Sequence, residues 1–117
     1  MSIEQQIEQV EIGIEEAKHA IEMLKTLNRL QAHPDFQKII TEGYFKEEAS
    51  RVVLLRGDLN ADEEIEKHCD KQINGIGVLR GYFQKIRHYG SMAEKALADH
   101  QETREELLRE QLEGGEA

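Results

Sequence analysis

Residues able to do chemistry are present in this chain, but seldom at the spacings that chemistry needs. Glu16 and His19 are three apart, so on a helix they share a face and could hold one metal ion, as in half of a di-iron carboxylate bundle site. The other half is missing, because none of His33, His68, His88 and His100 has a glutamate three residues before it. Glu64 and His68 stand four apart beside Cys69, a grouping that could in principle ligate zinc. The chain has no second cysteine, and Cys69 falls on an apolar stripe, where a buried small thiol is the better reading.

The segment from Asn74 to Gly81, NGIGVLRG, is superficially similar to a dinucleotide-binding glycine loop. Such a loop follows a strand and opens a helix, whereas helical periodicity here runs straight through from Ile65 to Ile86. Three glycines inside a helix cost about 2–3 kcal/mol in propensity. Close approach by Phe36, Tyr44 or Phe45 is the expected compensation, with a local break as the alternative. The many glutamates lie beside Lys or Arg three or four residues on, as on solvated helix faces. No nucleophile, base and orienting group can be assembled. The expectation is therefore a protein that is not an enzyme, with no catalytic residues, no cofactor and no metal.

The elements that would have to position any site are helices. Ile3, Ile7, Val10, Ile14, Ala17, Ile21, Leu24, Asn28 and Gln31 keep a 4-3-4-3 spacing, a heptad seam that predicts a helix over about 2–32. At 1.5 Å per residue it would be about 45 Å long. Towards its end Ala20, Leu24, Leu27 and Leu30 take over as the apolar line, and Asn28 is a polar seam residue able to fix register. Pro34 stops this helix and suits the first position of the next. Phe36, Ile39 and Ile40 at i, i+3 and i+4 predict a short helix over 34–43 that Gly43 ends in the left-handed conformation. Tyr44 and Phe45 follow, and a further helix over 44–56 completes a helix-turn-helix corner.

Gly57 and then Asn60 with Glu63, in capping-box spacing, predict a stop and a restart. The helix over 61–89 carries Ile65, Cys69, Gln72 or Ile73, Ile76, Leu79, Phe83 and Ile86 on a second seam, able to lie antiparallel on the first. Gly90 with Ser91 and Glu94 predicts a break or kink before a last helix over 92–112, and residues 113–117 should fray as an acidic tail. The fold class expected is all-α: an antiparallel, coiled-coil-like hairpin of long helices with a short corner between them, forming one helical domain over 1–112. The residues expected to matter for structure and interaction are Phe36, Gly43, Tyr44, Phe45, Gly77, Gly81 and Phe83.

Composition narrows the function classes. At 117 residues with 38% hydrophobic and 33% charged residues, the chain is lean in core material, which favours an elongated or oligomeric helical protein. The corner invites a DNA-binding reading, but a net charge of −9 opposes contact with phosphate. Acidity is uneven: residues 92–117 hold eight acidic and three basic residues, which marks either a solvated helix face or an end that meets a basic partner. A single cysteine excludes an internal disulfide. The N-terminus lacks the pattern of a secretion signal, and no apolar run approaches the roughly 18 residues of a membrane span.

The stretch PDFQKIITEGYFKEEASRV at 34–52, the segment INGIGVLRGYF at 73–83 and the acidic helical tail together resemble small acidic helical proteins encoded by tailed bacteriophages. The resemblance covers most of the chain and brings no functional residues with it. It implies a gene carried among virion-structure genes, hence a structural or assembly protein, scaffold- or head-associated. The partner would be the chain itself, as a homo-oligomer, or a phage structural protein, with neither nucleic acid nor membrane involved. Synthesis would be in the host cytoplasm, with the virion or an assembly intermediate as destination. The alternative is a soluble phage-encoded binder or inhibitor of a host protein.

Overall fold

The computed structural model describes residues 1–116. The fold is all-α, with no strand among the described residues, and a long helix α1 (Ile3–Ala32) packs against a longer helix α4 (Glu63–Glu116). Between them in sequence run α2 (Pro34–Phe36), a π-helix (Gln37–Glu48) and α3 (Ala49–Arg56). Contacts group into two compact units, one made of residues 1–25 with the chain from Ile86 onward, the other of Thr26–Lys85.

Local signals set the helix ends. Ser2 Oγ accepts from the Gln5 backbone N–H and Gln5 Oε1 accepts from the Ser2 N–H, both at 3.1 Å, a reciprocal box that satisfies two otherwise unpaired donors. Pro34 opens α2 as expected, and the His33 ring caps it, Nδ1 accepting from the Asp35 N–H at 3.1 Å. Helix α4 starts at Glu63, later than the predicted residue 61. Its cap is Asp62, whose carboxylate accepts from the Ile65 N–H at 2.9 Å. Asn60 instead donates its own N–H to the Asp58 side chain, closing a turn and leaving the predicted capping box unformed.

In the first unit the helices run antiparallel: Gly13 lies against His100 and Gly90 against Leu24, so positions rise on one helix as they fall on the other. Ile7, Ile14, Ala17, Ala93 and Leu107 are buried, and they occupy the seam positions. The break expected at Gly90 does not occur. Gly90 is itself a buried seam position, in 4-3 spacing with Ile86 and Ala93, and the helix continues through Ser91 and Glu94 to Glu116. The helix assignment runs past residue 113 to Glu116, and Ala117 lies outside the described residues.

In the second unit the core is Leu27, Val52, Cys69 and Ile76. Leu27 replaces Asn28 on the seam: Asn28 and Leu30 both face outward, because the buried stripe has drifted around α1 by this point. Of the two candidates next along α4, Gln72 is half-buried and Ile73 turned out. The Gln72 amide oxygen is buried without a hydrogen-bond partner among the described residues.

The larger correction concerns Gly43. No described residue has positive φ, so Gly43 ends nothing, and the chain stays helical from Pro34 to Arg56 by passing through twelve residues of π-helix. Such helices usually occur as single turns, with i→i+5 bonding that widens the coil. Widening rotates Ile39 off the face it would share with Phe36 and Ile40 in an α-helix, leaving it 66% exposed. An added Cβ at Gly43 would stand 2.9 Å from the Lys38 carbonyl oxygen, so the missing side chain is what accommodates this winding.

Candidate functional site

The aromatic corner of the second unit brings together four of the seven residues singled out from the sequence. Phe83 of α4 takes the rings of Phe36 and Phe45, with centroids at 5.9 and 6.0 Å and interplanar angles of 56° and 71°. Tyr44 packs on Phe45 at 5.9 Å, and Tyr82 stands beside Phe83 at 6.3 Å. The Phe45–Phe83 pair is edge-on and the others are tilted, all within the roughly 4.5–7 Å over which aromatic rings attract. Phe36 and Phe45 are nine residues apart, about two and a half turns of α-helix, which would put them on opposite faces. Both reach Phe83 because the π-helix between them redistributes that rotation. Phe36, Tyr44, Phe45 and Phe83 are half-buried and Tyr82 is exposed, so the corner is a packed elbow open at its rim.

The glycines divide differently from expectation. No atom lies within 4 Å of a Cβ built on Gly77 or Gly81, and Gly75 meets only the Tyr44 hydroxyl, at 3.8 Å. Close approach by the corner rings therefore does not compensate these two, and no break does either, since α4 is continuous. Gly77→Ala should raise stability by about 0.5–1 kcal/mol, checked by urea denaturation. The glycines that do make room are Gly13 and Gly90: a Cβ at Gly13 would meet the His100 ring at 2.9 Å, and one at Gly90 would meet Leu24 Cβ at 2.5 Å. For Gly90 a signal was present, because it continues the 4-3 register of the α4 seam.

One cluster of ion pairs joins separate elements. Arg56, at the end of α3, donates from Nε to Asp70 at 2.8 Å and pairs through Nη1 with Glu66 at 3.3 Å, tying the loop after Gly57 to the first turns of α4. The hydrogen bond to Asp70 raises the Arg56 pKa further. Hydrogen bonding from Arg51, with its charge, holds the Glu48 carboxyl below the ordinary value of 4.5. A lowered carboxylate pKa means that this pair contributes above the unfolded value and is lost as pH falls through the folded one. Both groups are at the surface, so the stability consequence is small. Arg51→Ala should move the Glu48 midpoint upward, read by carboxyl carbon chemical shifts.

The candidate chemical groupings are dispersed. Glu16 and His19 are both exposed, as are Glu64 and His68, while Cys69 points into the core. Among the described residues no three His, Cys, Asp or Glu side chains stand together in a way that could hold a metal ion. Concavities are shallow. One of about 540 Å³ lies along a single helical face, lined by Phe45, Lys46, Ala49, Ser50, Val53 and Leu54. Another, of about 380 Å³, lies between Gln6, Gln9 and Val10 of α1 and His100, Thr103 and Leu107 of α4. No helix among the described residues is long and apolar enough to cross a membrane.

Helical segments pack around an aromatic elbow, and apolar side chains such as Val53, Leu54 and Val78 are left on outer faces. The chain matches no family model, no curated protein and no solved structure.

Proposed function

We propose that this chain is a non-enzymatic interaction protein of phage assembly, which self-associates or meets a phage structural protein through its outer helix faces. The observation that carries the reading is the apolar ridge on the outside of the corner. Val53 and Leu54 are 56% and 75% exposed on the face that also holds Phe45 and Ala49, whereas the same helix buries Val52 completely. A helix that is apolar on two faces has one more than its own core uses. The resemblance of residues 34–52 and 73–83 to small phage-encoded helical proteins supports the assembly context, and the acid-rich C-terminal end supports a basic or mixed-charge partner.

Sedimentation velocity of the purified chain from low micromolar concentration upward tests this directly. Growth of the mass-average species with concentration is expected, and a strict monomer throughout would overturn self-association. Mass spectrometry of purified particles and assembly intermediates tests the context. Absence from both, with stoichiometric recovery of one host protein, would favour a host-binding role.

A further inference from the structure

Helix α4 repeats its apolar spacing one residue out of step. Val78, Tyr82, Lys85, Tyr89, Met92 and Ala96 keep the 4-3 rhythm, each one position before a residue of the covered seam. They form a second stripe about 100° round the helix from the first. Burial of Cys69, Ile76, Ala93 and Leu107 shows that heptad spacing describes the covered side over this length. The second stripe is uncovered: Val78 is 72% exposed, Tyr82 52%, Tyr89 57% and Met92 56%. A surface helix uses one apolar stripe for its own core, and this one has two.

Charges extend the stripe with opposite signs at its two ends. Lys71, Lys85, Asp99 and Glu106 are in sevenfold step with Val78 and Met92, and Lys67, Lys95 and Glu102 form the adjoining edge in step with His88. Before Tyr89 these lines carry Lys67, Lys71 and Lys85. Asp70, the one carboxylate between Lys67 and Ala93 in the sequence, is off the face and bound to Arg56 at 2.8 Å. After Met92 come Asp99, Glu102 and Glu106, with Lys95 before them and Arg109 after them as the cations on these lines, while Arg104 stands in the covered seam. Lys67, Lys71, Lys85, Asp99, Glu102 and Glu106 are all exposed, and none has an ion-pair partner among the described residues.

We propose that this stripe packs on the same stripe of a second copy of this chain, with the two α4 helices antiparallel. This rests on the self-association reading and specifies where it occurs. The signs choose the direction. Parallel pairing in register would set Lys71, Lys85, Asp99 and Glu106 each against its own copy, like charge on like. Antiparallel pairing that seats Val78 on Ala96 and Tyr82 on Met92 of the second copy brings Lys67 and Lys71 beside its Glu102 and Glu106. In that register Lys85 falls opposite Tyr89, where its stem lies on the ring and its ammonium at the rim. Two-fold symmetry makes each of these contacts twice, so the assembly closes as a dimer.

Sedimentation velocity on the full chain tests the contact, with circular dichroism confirming that each variant is folded. Met92→Glu, at an exposed position, should weaken dimerisation roughly a hundredfold. Lys67→Glu with Lys71→Glu, or Glu102→Lys with Glu106→Lys, should weaken it roughly tenfold or more. The fourfold variant, and an equimolar mixture of the two double variants, should recover it. Cysteine cross-linking reads the direction: Val78→Cys chains mixed with Ala96→Cys chains should form a disulfide under mild oxidation, and neither variant should do so alone. Cross-linking of Val78→Cys to itself would mean parallel pairing and would overturn the proposal. Association that is unchanged by Met92→Glu but lost in Leu54→Glu would put the contact on the corner ridge, so that this proposal fails while self-association stands. If wild type stays monomeric throughout, both fail.

Discussion

Gly90→Ala should destabilise the protein by about 2 kcal/mol and Gly90→Val by about 3 or more, measured by urea denaturation with circular dichroism. Alanine in place of a mid-helix glycine ordinarily gains about 1 kcal/mol, so the sign itself is diagnostic. The added Cβ would stand 2.5 Å from Leu24 Cβ and 2.8 Å from Leu24 Cδ2. The nearer of these is rigidly attached to the backbone, so no rotamer change relieves the contact and the helices must separate locally. The same substitution at Gly77 has no such neighbour and should move the midpoint the other way. Combining Gly90→Ala with Leu24→Ala should cost less than the sum of the two single losses, because they act on one contact. Strict additivity would mean that Gly90 does not face Leu24 in solution.

Phe83→Ala should cost about 3 kcal/mol, towards the lower end for a truncated phenylalanine because the ring is only half-buried. Its second effect is more specific. Phe83 is the ring on which Phe36 and Phe45 converge, and that convergence holds a π-helix of twelve residues where one turn is the usual limit. Without Phe83 nothing rewards the wide winding, and Gln37–Glu48 should shift towards i→i+4 bonding. Backbone amide and Cα chemical shifts of that segment, recorded for wild type and Phe83→Ala, report the change. Unaltered shifts across Gln37–Glu48 in a folded variant would show that the winding is set locally.

Fold class and much of the core were legible in the sequence for a simple reason. Heptad spacing is a one-dimensional record of which side of a helix is covered, and Ile7, Ile14, Cys69 and Ile76 are buried where that record puts them. Pro34 likewise acts through its own covalent geometry, so its place at the first turn of α2 needs no tertiary context. The aromatic residues of the corner were also visible, because in a chain without tryptophan these rings supply much of the core volume available there.

Glycine was where reading along the chain failed. A glycine permits a left-handed end, a wide π winding, a close helix contact or merely an empty face, and the residue type is the same in all four. Gly43 proved to be the second, Gly90 the third and Gly77 the last, none of which is encoded by the neighbours that suggested stops. The π-helix shows the same dependence on context: Phe36 and Phe45 are wrongly spaced for one α-helical face, and only a third ring supplied from distant Phe83 makes the altered winding favourable. Local rules determined which segments are helical and which stripe each one buries. Where those helices continue, widen or approach was decided by three-dimensional packing, because the energies that settle it belong to pairs of residues far apart in the chain.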